Sequence, residues 1–216
     1  MEGKKITKLE VQKNNNQRIN VFLNDVFAFG LSRDTAAWLN VGQILSDEQI
    51  NNLLSKERDN VIFAKAINYI SIRPRSEYEI RQKLSQNGYE AQRIEKVISR
   101  LKDSNLLNDE NFSAQWIENR NTFRPRSKRM MAAELRKKKV PENVIQHSLQ
   151  NSDDLQTAFE LAEKYKRKLI NCDWKTFRNK LGGYLARKGY DFETINQVTR
   201  QIWEVEKKND AENGES

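Results

Sequence analysis

The tetrapeptide Arg-Pro-Arg-Ser occurs twice, at Arg73–Ser76 and Arg124–Ser127, with the copies 51 residues apart (124 − 73). The chain has three prolines, and two of them lie inside these identical basic tetrapeptides. A period of this size marks a supersecondary unit copied along the chain, each copy burying its apolar face against its neighbours. Arrays of this kind serve as extended binding surfaces more readily than as catalytic pockets.

Extending the alignment outward defines the unit. Ile80 and Leu84 follow the first tetrapeptide at the spacing at which Met131 and Leu135 follow the second, and a more worn third copy carries Leu181 and Leu185. Each of these helices is followed by a turn and another apolar stripe: Gly88-Tyr89 before Ile94, Val97, Ile98 and Leu101; Lys139-Val140 before Ile145 and Leu149; Gly189-Tyr190 before Ile195, Val198 and Ile202. Recurrence at i, i+3, i+4 and i+7 predicts amphipathic helices. A third helix is expected ahead of each of these pairs, marked by Asp59/Ala64, Asp109/Ala114 and Asp153/Ala158, with each Asp as its N-cap.

The start and stop residues agree. Ser76 and Glu79 have capping-box spacing, and Pro74 cannot continue a preceding helix. Gly88 and Gly189 sit where a helix ends on positive φ. Lys139 replaces glycine in the middle copy, so that turn is expected to be strained or to end differently.

The first 56 residues read differently. Lys5–Val11, Arg18–Leu23 and Val26–Leu31 are short and rich in Ile, Val and Phe, separated by turns at Asn14-Asn15-Asn16 and Asn24-Asp25. They predict a three-stranded meander, with a helix over Ser46–Leu54 as part of its cover. The fold class expected is therefore mainly α: a curved array of tandem three-helix repeats with a small amino-terminal β-meander. The expected boundaries are 1–56 for the strands, 57–107, 108–151 and 152–206 for the repeats, and 207–216 for a disordered tail. With 37% apolar and 31% charged residues, several small cores are expected in place of one large one.

Charge is distributed unevenly. Residues 1–70 carry 9 basic and 8 acidic side chains, residues 71–151 carry 17 and 10, and residues 152–216 carry 12 and 12, so the net +8 divides as +1, +7 and 0. The excess peaks between Arg124 and Lys139, where Arg124, Arg126, Lys128, Arg129, Arg136, Lys137, Lys138 and Lys139 face only Glu134. A solvated helix face explains an ordinary charge run, but recurrence of the basic turn at Arg73 and Arg75 favours a surface for an anionic partner. Catalytic signatures are thin. His147 is the only histidine and sits on the polar side of its stripe, while the paired carboxylates Asp109-Glu110 and Asp153-Asp154 fall at helix starts. No metal-ligand cluster or phosphate loop is seen, so neither an enzyme nor a cofactor is expected. Trp116, Trp174 and Trp203 are expected in cores and Trp38 at the surface. A single cysteine, Cys172, and the lack of a long apolar run or apolar leader point to a cytoplasmic protein away from membranes.

The segments Tyr69–Ser76, Glu79 to Leu84, Asn87-Gly88-Tyr89, Leu106–Phe112, and Arg124–Ser127 with Glu134-Leu135-Arg136 resemble the RecX family of regulatory proteins over about residues 59–203. The resemblance implies tandem three-helix repeats and binding to the RecA recombinase filament on DNA, restraining its ATPase, strand-exchange and co-protease activities. Single- or double-stranded DNA is a further expected partner through phosphate contacts, and a monomer is expected. The alternative reading is a direct DNA-binding protein using its units as helix-turn-helix readers.

Overall fold

The computed structural model describes residues 3–214. Its first element is a β-hairpin pair: β1 (Lys4–Gln12), β2 (Asn15–Leu23) and β3 (Val26–Ser32) run antiparallel. The β2–β3 turn places Asn24 and Asp25 at φ 47° and 66°, the paired left-handed conformation that a two-residue turn needs to follow strand twist. A short helix α1 (Arg33–Ala36) follows. The fourth strand, β4 (Ile44–Leu45), pairs with Lys4 and Lys5, giving the order β3-β2-β1-β4 in place of the expected three strands. Two residues carry no alternation, which is why β4 is invisible in the sequence.

Helix α2 (Asp47–Ile72) opens on a complete capping box between Ser46 and Gln49 and continues unbroken for 26 residues. The helix thus runs through Lys56, the end of the expected strand segment. The first half of α2 closes the sheet core with Ile50 and Leu53, beside Ile6, Val21, Leu31 and Leu45, while its second half gives Ile62 and Ala66 to the first repeat. Asp59 is mid-helix, not an N-cap, and its carboxylate takes Arg93 Nη1 at 2.6 Å. Composition shifts at Lys56, but no residue there breaks a helix.

Three cores follow, one per repeat. In the first, α2 packs with α3 (Glu77–Gln86) and α4 (Ala91–Asp103) around Ile80, Leu84, Val97, Ile98 and Leu101. The second joins α5 (Asp109–Phe123), α6 (Lys128–Lys137) and α7 (Glu142–Leu149) around Phe112, Met131, Leu135 and Ile145. In the third, α8 (Asp154–Lys166), α9 (Trp174–Arg187) and α10 (Phe192–Gly214) enclose Phe177, Leu181, Leu185 and Ile202, with Trp174 and Trp203 partly buried against them. Asn108, not Asp109, caps α5, whereas Asp153 caps α8 as expected. Helix α10 continues to Gly214 through the segment expected to be disordered, since Glu, Lys and Ala there favour helix and no proline interrupts it. Residues 215 and 216 of that expected tail lie outside the described residues.

The chain divides into two compact units: residues up to 73 with 80–107, and 74–79 with 108 onward. In the first unit, buried Glu57 joins strand and helix, accepting from Ser32 N at 2.8 Å and Ser32 Oγ at 2.9 Å, with Arg18 Nη1 2.9 Å from its other oxygen as a charge contact. In the second unit, both serines of the repeated tetrapeptide are joints. Ser76, fully buried, caps α3 with Glu79 and donates Oγ to Lys138 O at 2.8 Å. Ser127 caps α6 and donates to Gly189 O at 2.7 Å, while Lys128 N meets Asp154 Oδ1 at 2.8 Å as Glu77 N meets Asp109 Oδ1. A Cβ on Gly189 would stand 2.1 Å from Met130 Cγ, so this turn requires glycine for approach as well as for its φ of 95°.

Candidate basic interface of the second repeat

Helix α6 is held by its apolar stripe, with Met131, Ala132 and Leu135 buried, Ala133 and Glu134 half-buried between them, and Arg129, Arg136 and Lys137 exposed. The basic residues of the run divide into two sets. Arg124, the C-cap of α5, Lys137 at the end of α6, and Lys139 in the turn are exposed and make no ion pair among the described residues. Lys128 is half-buried beside Asp154. Arg129 is exposed and donates Nη2 to Gly189 O at 3.3 Å.

The other set is committed internally. Glu134, the one acid of the run, points inward and accepts from Trp116 Nε1 at 2.8 Å and Arg120 Nε at 2.7 Å, with Arg126 Nη1 at 3.0 Å on its second oxygen. The Arg120 guanidinium lies 4.5 Å from the Trp116 ring centroid, and Lys138 Nζ lies 5.5 Å from it while pairing with Glu79 at 2.7 Å. Arg136 grips Glu142 with two hydrogen bonds of 2.8 and 2.6 Å. Those bonds hold the Glu142 carboxyl down to about 2. Arg73 is exposed and Arg75 half-buried, and both make contacts within the chain.

Withdrawing Glu134 from the surface leaves the outer side of the run without an acid to offset Arg124, Lys137 and Lys139. Trp116 and Arg120 on α5, with Arg126 in the turn before α6, hold Glu134 in that position. The sequence counts eight cations equally; the fold separates them. Lys139 adopts φ 56°, the left-handed conformation expected of glycine there, and among the described residues it is the only positive-φ residue other than Gly, Asn or Asp. It is exposed in the turn between α6 and α7. Among the described residues no group of acids, histidines and cysteines could hold a metal ion, and no helix is long and apolar enough to cross a membrane. His147 is exposed at the end of α7.

A small antiparallel sheet followed by three tandem three-helix units defines a helical-repeat protein. The same division appears in comparison with known families: the regulatory protein RecX N-terminal domain matches residues 4–46, and the first, second and third RecX three-helix domains match 63–101, 108–149 and 152–199. Relatives named Regulatory protein RecX include one from Clostridium perfringens strain 13, 31% identical over 205 residues and covering 92% of this chain and 96% of its own. One from Clostridium tetani is 33% identical over 207 residues, covering 92% and 94%. The chain belongs to the RecX family of regulatory proteins. A crystal structure of a regulatory protein RecX superposes with a TM-score of 0.75 over 91% of this chain and 99% of that one at 22% identity, and RecX from Lactobacillus salivarius gives 0.61 over 67% and 96% at 22%. These two likenesses concern the fold.

Proposed function

We propose that this protein binds the RecA recombinase filament on DNA and restrains its ATPase, strand exchange and co-protease roles, acting as a cytoplasmic monomer without chemistry of its own. The observation that carries this reading is the family membership, joined to a basic run in the middle repeat whose one acid, Glu134, is turned inward while Arg124, Lys137 and Lys139 are exposed. Cations without internal partners can meet an acidic protein surface or DNA phosphate, speeding encounter in a salt-dependent way, while blocking subunit motion requires binding energy alone. Arg124, Lys128, Lys137 and Lys139 are proposed as the principal contacts, and Arg73, Arg75, Arg129 and Arg136 as further ones. Arg126 and Lys138 contribute charge from within structural pairs.

The helix-turn-helix alternative gains little support from the exposed faces. Arg93 of α4 is spent on Asp59, and α7 presents Glu142, Asn143, Gln146 and His147, a face without a consistent base-reading character. Titration of the purified protein into RecA hydrolysing ATP on single-stranded DNA tests the proposal. Hydrolysis should fall at substoichiometric to equimolar ratios, and unchanged hydrolysis and strand exchange would refute it.

A further inference from the structure

The first unit contains a cleft of about 470 Å³ between α1, α2 and α4 that the basic run does not touch. This falls within the roughly 300–1,000 Å³ of small-ligand sites. Trp38, two residues beyond α1, lines the cleft and is 49% exposed. An indole left this open forgoes about half of the burial available to a tryptophan. Opposite it, α2 and α4 bring Lys56, Lys96 and Arg100 to the same hollow. Lys56 and Lys96 are exposed and have no ion pair among the described residues.

Arg100 is arranged differently. Its guanidinium lies 3.9 Å from the Phe63 ring centroid, and Nη1 donates to Asn60 Oδ1 at 2.7 Å. Asn60 in turn donates Nδ2 to Thr35 Oγ1 at 2.9 Å, which is also 2.7 Å from Ser32 Oγ. A guanidinium fixed by stacking and by a hydrogen-bond chain keeps its other N–H donors available without paying the ordering cost when an anion arrives. Two acids line the cleft. Asp59 is neutralised by Arg93, and only Asp34 opposes an anion.

We infer that this cleft binds one nucleotide unit of single-stranded nucleic acid, its base stacked on Trp38 and its phosphates drawn to Lys56, Lys96 and Arg100. Single strands are specified because a duplex keeps its bases stacked inside, whereas an unpaired base offers its flat face to an aromatic side chain. The site requires no recombinase, so it stands apart from the function proposed above.

The test is a fluorescence-anisotropy titration of labelled oligo(dT) with the full chain, RecA absent. Trp38→Ala should weaken binding roughly tenfold, in keeping with the stacking of a base on one aromatic ring, while Trp38→Phe retains most of it. Lys96→Glu should weaken binding and flatten its salt dependence. Asp34→Asn should tighten binding severalfold, a gain that misfolding cannot imitate. Equal affinity of the Trp38→Ala and Asp34→Asn variants with the unaltered chain would overturn the assignment. So would equal competition by polyglutamate, which would make the cleft an acidic-peptide site, or by hybridised duplex of the same length.

Discussion

At the scale of single residues, position 139 shows how one side chain can carry opposing demands. A left-handed φ costs a residue with a Cβ about 1–2 kcal/mol, partly offset by the greater chain entropy that glycine loses on folding. Lys139→Gly should therefore raise stability by about 0.5–1 kcal/mol, read as a rise of a few degrees in a circular-dichroism melt, while weakening filament binding if Lys139 is a contact. Glu134 carries the reverse lesson. Glu134→Ala strips the acceptor from Trp116, Arg120 and Arg126 and should cost about 2 kcal/mol in denaturant unfolding. Glu142 can be checked by NMR titration: its carboxyl should titrate near 2, and Arg136→Ala should return it toward the ordinary 4.5. The sign follows from the lowered value. Any stability from this pair is present above the unfolded value and is lost as pH falls through the folded one.

Among the elements, α2 and the tetrapeptide turns decide how the parts are joined. A chain beginning at Glu57 cuts α2 in two, discarding the Ser46–Gln49 cap and the core residues Ile50 and Leu53. It should melt well below a chain beginning at Ser46, which keeps the helix whole; equal melting of the two would show that the first half of α2 serves only the sheet. In the full chain, Glu57→Ala breaks the bonds from Ser32 and leaves Arg18 without its carboxylate, with an expected cost of about 2–3 kcal/mol. Ser127→Ala removes both a helix cap and the buried bond to Gly189, about 1–2 kcal/mol by the same measurement.

For the molecule as a whole, the two sets of cations should part in a paired comparison. Arg124→Glu with Lys137→Glu should weaken binding to the RecA filament severalfold and leave the melt unchanged, because neither side chain makes an ion pair among the described residues. Arg126→Glu with Lys138→Glu should lower stability, setting like charges against Glu134 and Glu79; filament co-sedimentation and thermal melting on the same preparations distinguish the outcomes. The sequence by itself determined the repeat, the helices within it, the paired Asn24-Asp25 turn and the uneven charge, because period, caps and turn chemistry are local properties of the chain. It could not reveal that α2 serves two cores, that β4 exists, that Ser76 and Ser127 are buried joints, or that Glu134 turns inward to Trp116. Nor could it bring Trp38, Lys56, Lys96 and Arg100 to one cleft. Those depend on which faces meet across dozens of residues, and contacts at that separation leave no periodic trace in the chain that makes them.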